Sequence, residues 1–140
     1  MRLNLESFKK AVGSLQRAID VATSEEKMSR LDKDQKDTMR AGVIQNFEFT
    51  YELSWKFMKR WLEHNVGSVY VDGLPRRELF RLAAEHQLIE HVDQWIIYHD
   101  ARNETAHTYE EKKAREIFEN ARQFLKDAQF LLDNLEKKND

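Results

Sequence analysis

Apolar residues recur along this chain at helical intervals. Leu5, Phe8, Val12, Leu15 and Ile19 follow one another at steps of 3, 4, 3 and 4. That spacing predicts one apolar stripe on a helix from about Asn4 to Ala22. Near the other end, Ile117, Ala121, Phe124, Ala128, Leu131 and Leu135 step by 4, 3, 4, 3 and 4, and Phe118, Leu125 and Leu132 widen the stripe. This last helix is expected to begin near Tyr109, with Thr108 as its N-cap and Glu111 as the capping-box partner. The closing EKKND is expected to fray. A second long pattern runs from Asp37 to Glu63, with Val43, Ile44, Phe47, Tyr51, Trp55, Met58 and Leu62 on one face and Leu53, Phe57 and Trp61 beside it. So wide a face asks for burial on more than one side, in an intramolecular core or in a homodimer seam.

The segments between these patterns are short. Residues 23–36, TSEEKMSRLDKDQK, are highly charged and read as a connector or an exposed helical extension. Residues 64–74 break the periodicity: Gly67 and Gly73 permit turns, and Pro75 suits the first turn of a new helix. A short helix then covers about 75–86, and another, carrying Val92, Trp95, Ile96 and His99, covers about 89–103. The expected fold is all-α: an up-and-down four-helix bundle with an additional short helix, one domain over residues 1–140.

Composition narrows the function classes. With 23 basic and 25 acidic residues the formal charge is -2, which argues against a broad basic face for coating nucleic acid and leaves room for a small basic cleft. There is no cysteine, so disulfides, thiolate metal sites and cysteine nucleophiles are excluded. No run approaches the length of a membrane helix, and no signal-peptide core opens the chain, so the expected location is cytoplasmic. There is no glycine-rich phosphate loop and no nucleophile elbow.

The candidate chemistry lies in Arg102-Asn103-Glu104-Thr105-Ala106-His107-Thr108-Tyr109. Arg102 brings a planar, permanently charged fork matched to phosphate. His107 gives or takes a proton near neutral pH. RNA supplies its own nucleophile, the 2′-hydroxyl, so this pair suits phosphodiester cleavage without a metal. On an uninterrupted helix the two residues would stand about 140° apart; a bend before Thr108 would let both face one cleft. Asn103 is a candidate to orient phosphate or hold the bend, and His99, three residues before Arg102, to line the same face. Tyr109, at the expected helix N-terminus, is placed to meet a phosphate-bearing ligand. The bland alternatives are that Arg102, Asn103 and His107 only cap helix ends, that His99 is a packed helix histidine, and that Tyr109 is a half-buried packing residue. Glu48 and Glu52, with Lys56, Lys59 and Arg60, read as solvated helix surface. His86 and His91 lack carboxylates at a ligand spacing, so no metal site is expected.

Arg102, His107 and Tyr109 at this spacing resemble the R-x4-H-x-Y signature of HEPN domains of the HepT type. The stretch IQNFEFTYELSWKFMKRWLE, residues 44–63, resembles the second helix of the nucleotidyltransferase substrate-binding branch of that family. The resemblance implies a homodimeric helical bundle and a small partner, a minimal nucleotidyltransferase. It implies a metal-independent ribonuclease toxin in which Arg102 and His107 are catalytic, two copies meeting across a dimer cleft. The partner would neutralise the toxin by adenylylating Tyr109, using ATP itself, so that this chain needs no cofactor. An older reading of the same branch is a non-catalytic subunit that binds substrate for the nucleotidyltransferase.

Overall fold

The computed structural model describes residues 2–139. Four helices make the bundle: α1 (Glu6–Ala22), α3 (Lys33–Leu62), α6 (Val92–Asn103) and α7 (Glu111–Lys137). Shorter pieces connect them: α2 (Glu25–Met28), a π-helical turn (Glu63–Gly67), α4 (Ser68–Val71) and α5 (Arg76–Glu85). Both α3 and α7 pack against α1 and α6, and α5 lies on α6 and α3.

Side-chain pairs fix the directions. Ser14 donates to Asn46 at 2.6 Å and Thr50 to the Ala11 carbonyl at 3.3 Å, so α1 runs antiparallel to α3. Tyr51 meets His99 while Glu48 meets Arg102, so α6 also opposes α3. Phe47 packs on Phe124 and Trp61 bonds to Lys138, so α7 runs parallel to α3. Neighbours around the bundle therefore alternate in direction, which is the expected up-and-down arrangement of an all-α fold.

The apolar stripes do what their spacing requires. Phe8, Val12, Leu15 and Ile19 are buried on α1, and Ile117, Ala121, Phe124, Ala128, Leu131 and Leu135 on α7. The wide face of α3 divides between neighbours, with Phe57 stacking on Phe8 of α1 and Phe47 meeting Phe124 of α7 edge-on. At the centre, Phe124 lies 5.2 Å from Phe47, 6.2 Å from Tyr51, 5.6 Å from Trp95 and 5.1 Å from Tyr98, all edge-to-face. That is the arrangement ring quadrupoles favour. One ring thus holds α3, α6 and α7 together.

Of the two forms open to residues 23–36, the helical one is observed: Ser24 caps α2, which buried Met28 anchors, and α3 begins within the stretch. Two expectations need correction. α3 starts at Lys33 rather than Asp37, because Asp32 and Gln35 form a reciprocal capping box. The C-terminal residues do not fray through Asn139. The Asn139 amide accepts from Leu3 N–H at 2.8 Å and donates to Leu3 O at 2.9 Å, while Trp61 Nε1 donates to Lys138 O at 3.2 Å. Asp140 lies outside the described residues. Gly67 (φ +124°) and Gly73 (φ +77°) occupy left-handed conformations that side chains resist, as their turn assignment requires.

Two substitutions test this scheme. Phe124→Ala is expected to destabilise the fold by about 3–5 kcal/mol, since it empties the contact shared by three helices. Asn139→Ala removes two side chain–backbone bonds and is expected to cost about 1–2 kcal/mol. Urea denaturation measures both; a smaller loss for Phe124→Ala than for Asn139→Ala would contradict the central role of that ring.

Candidate functional site

The chemistry-bearing segment sits where α6 gives way to α7. α6 stops at Asn103, and Glu104–His107 tighten into a 3₁₀ turn. Thr105 Oγ1 donates to the Arg102 carbonyl at 2.8 Å, satisfying one of the last acceptors of the helix. Lys113 reaches Glu104 at 3.6 Å and ties the turn to α7. Thr108 keeps right-handed helical dihedrals (φ -70°, ψ -7°), and the chain reverses only beyond it. Thr108 is therefore not the N-cap of the last helix. Glu110 takes that position in extended conformation, with no side-chain cap, and Glu111 becomes the first helical residue. The physical reason is that the 3₁₀ turn absorbs Thr108, so the extended residue a cap needs comes two positions later.

This geometry bears on the two catalytic candidates. The expected bend before Thr108 is replaced by a tightening of the same right-handed spiral. A 3₁₀ turn advances 120° per residue instead of 100°, so His107 still stands about 140° from Arg102 around the axis. Among the described residues no hydrogen bond or ion pair joins them.

Arg102 turns inward to α3. Its Nη1 lies 3.4 Å from Glu48 Oε2, its Nε 3.4 Å from Glu52 Oε1, and Nη1 donates to Thr105 Oγ1 at 3.2 Å. The guanidinium is one-third exposed, and so are both carboxylates. Nε is shut off from solvent without an aligned hydrogen bond, although Glu52 is close enough for strong attraction. The pairing is thus Coulombic rather than a well-directed fork. Glu52 has a second tie: its Oε2 accepts from Trp55 Nε1 at 3.2 Å, and the Arg76 guanidinium covers the Trp55 ring at 3.6 Å. Glu48 and Glu52 are the residues that the sequence pattern placed on solvated surface. Their i,i+4 spacing brackets Tyr51, which also faces α6, and that register was the available signal.

His99 lies one turn before Asn103. Tyr51 OH and His99 Nδ1 are 2.8 Å apart, and Asn103 Nδ2 and His99 Nε2 are 3.4 Å apart. Burial, and then the positive charge of Arg76, hold the imidazole below its usual range. Burial pushes the Tyr51 hydroxyl well above the ordinary tyrosine range, so it stays a neutral hydrogen-bonding partner. His99 and Asn103 thus form a polar cluster beside Arg102, on its helix.

His107 and Tyr109 point elsewhere. Both are exposed, with their rings edge-to-face at 6.1 Å. Tyr109 is 78% exposed, so it is not a half-buried packing residue. It stands at a groove of about 1390 Å³ between the N-terminal parts of α3 and α7, lined by Ala41, Ile44, Ala114 and Phe118 and bordered by Glu48. Acidic side chains outnumber basic ones along that groove. Among the described residues no three His, Asp or Glu side chains gather to hold a metal ion, and no helix is long and apolar enough to cross a membrane.

An all-α bundle with an Arg/His/Tyr segment at one helix junction defines the class. The family model described as nucleotidyltransferase substrate binding protein like matches residues 3–137, and this chain belongs to that family. The match agrees with the resemblance to HepT-type HEPN domains. The chain is 38% identical over 104 residues to a protein named probable ribonuclease HepT from Haemophilus influenzae, covering 74% of this chain and 71% of that one. It superposes with a TM-score of 0.90 and 33% identity on a Haemophilus influenzae structure described as the fold of a substrate binding domain of a nucleotidyltransferase, covering 95% of this chain and 99% of that one. A Thermus thermophilus structure gives a TM-score of 0.72 at 27% identity, covering 91% of this chain and 98% of that one.

The surroundings of His99 set a pH dependence. Its folded-state midpoint lies below the unfolded value of 6.5. The neutral ring therefore contributes stability that is fully present above that pH and is lost as the pH falls through the folded midpoint. Titrating the His99 ring by NMR should give a midpoint below 6.5; a midpoint at or above it would contradict the burial of the ring beside Arg76 as described.

Proposed function

We propose that this chain is a metal-independent ribonuclease toxin of the HEPN type, held in check by a minimal nucleotidyltransferase partner. The observation that carries the reading is the joint presence of an inward-held guanidinium at Arg102 and an exposed imidazole at His107, five residues apart. The similarity to a protein named probable ribonuclease supports it. Arg102 stabilises negative charge on the phosphoryl oxygens, and His107 takes the proton of the 2′-hydroxyl. The 2′-oxygen bonds to phosphorus, the bond to O5′ breaks, and O5′ takes a proton from water, leaving a cyclic phosphate end. Because Arg102 and His107 stand on different sides of one spiral, the working site joins Arg102 of one copy to His107 of a second copy in a homodimer. His99 and Asn103 support Arg102. Tyr109, fully accessible beside His107, is the residue the partner adenylylates with ATP; a bulky anionic group there blocks RNA by volume and charge.

A second reading is a non-catalytic substrate-binding subunit of a two-component nucleotidyltransferase. It is favoured by the engagement of both Nε and Nη1 of Arg102 within the chain, and by the description of the structure it superposes on. It predicts a complex with the transferase, altered transferase activity, and no cleavage of RNA.

Purified protein in the presence of a metal chelator is expected to cleave single-stranded RNA. Arg102→Ala and His107→Ala should each lower the rate by about 10²–10⁴-fold, His107→Ala with unchanged thermal melting and Arg102→Ala in a chain that melts earlier but remains folded at the assay temperature. Intact RNA after incubation with the folded wild-type dimer would favour the substrate-binding reading. Incubation with the partner and ATP, followed by intact-mass measurement, is expected to add AMP to wild type and none to Tyr109→Phe. AMP retained by Tyr109→Phe would place the modification elsewhere.

A further inference from the structure

The two carboxylates on Arg102 are equally exposed but differently anchored. Glu52 is tied through its second oxygen to Trp55, whose ring is pinned under Arg76. Glu48 has its one ionic contact with Arg102 and borders the open groove that Tyr109 shares. The fork itself is unevenly used. Nε is covered and faces Glu52. Nη1 keeps Thr105 on one side and Glu48 on the other. Nη2 makes no hydrogen bond or ion pair among the described residues.

We propose that Glu52 is a positioning residue that fixes the Nε edge of Arg102, and that Glu48 is a displaceable stand-in for the oxyanion of a phosphodiester. The proposal rests on the reading of Arg102 as a phosphate-binding group. A phosphodiester needs two adjacent N–H donors, and the Nη1–Nη2 edge offers them once Glu48 swings away. Thr105 continues to accept from Nη1, and Glu52 continues to hold Nε, so the guanidinium does not rotate during the exchange. Charge is conserved locally: one guanidinium faces two monoanions before and after. Geometry improves, because the present contacts at 3.4 Å are longer than the 2.7–2.9 Å of an aligned charge-assisted bond. The released Glu48 turns to water in the groove.

The test uses a fluorescent 2′-O-methyl RNA octamer, which lacks the nucleophile and is not cut. Binding to the full chain is followed by anisotropy for wild type, Glu48→Gln, Glu52→Gln and Glu119→Gln. The last removes the same charge from the same groove without touching Arg102, so it subtracts the general electrostatic effect. Glu48→Gln is expected to bind about three- to tenfold tighter than Glu119→Gln, the scale of one partly exposed ion pair. Glu52→Gln is expected to bind more weakly than wild type. With cleavable RNA, Glu48→Gln should lower KM and Glu52→Gln should lower kcat. If Glu52→Gln fails to fold, Trp55→Phe removes the same tether while keeping an aromatic ring, and weaker binding is again expected. Equal affinities for Glu48→Gln and Glu119→Gln, tighter binding by Glu52→Gln or Trp55→Phe, or no binding by wild type and Glu48→Gln alike would overturn the proposal. Tighter binding by Glu48→Gln in a chain that cuts no RNA would support it while sinking the ribonuclease reading.

Discussion

The Arg102 guanidinium, held between Glu48 and Glu52, is the constraint on which the site depends. It is a partly covered cation with two anions from one helix and one neutral hydroxyl from the turn that ends its own. Taking away Arg102 leaves two carboxylates a single turn apart on α3 with no counter-charge, and like charges at that spacing repel. Taking away Glu52 leaves the covered Nε with no acceptor beside it and Glu48 as the one remaining counter-charge among the described residues, and a covered donor without a partner is costly. The motif is thus keyed to the bundle rather than carried passively at a helix end.

That pairing requires α3 and α6 to cross at a fixed register, and the aromatic core supplies it. Phe124 touches rings from both helices, and Tyr51 reaches from α3 to His99 on α6. Glu48 and Glu52 bracket Tyr51 on α3, just as His99 and Asn103 bracket Arg102 on α6. Packing of large rigid rings therefore sets where the charges meet. Tyr98 and Asp127 make a further bond between α6 and α7. In contrast, His107 and Tyr109 lie beyond this locked region, on a 3₁₀ turn and the loop after it, where exposure leaves them open to a second macromolecule.

Much of this was legible from residue order. The stripes of α1 and α7 named their buried residues, because a 3.6-residue period ties burial directly to spacing. The double-sided burial of α3 followed from its aromatic width. The start of α3 at Lys33 was obscured by its charged surroundings, although Asp32 and Gln35 have the spacing of a capping box. The cap of α7 was misplaced because Thr108 and Glu111 have the same spacing, while the 3₁₀ turn that carries Thr108 past the cap position leaves no mark in the local pattern. The clamp on Arg102 was hidden for a deeper reason. It joins residues about 50 positions apart through helix register, and a carboxylate pair on a helix looks the same whether it faces water or a guanidinium.

The chemistry proposed for this family member joins a positioned cation with an exposed acid–base group, and their separation around one spiral calls for two copies. The most direct measurement is complementation between two inactive variants. Arg102→Ala and His107→Ala chains, carrying different tags, are co-expressed and the mixed dimer is isolated. One of its two clefts then contains both native side chains. Cleavage of single-stranded RNA by the mixed dimer, with neither parent dimer active, is the predicted result. A folded mixed dimer as inactive as its parents would contradict a site shared between copies.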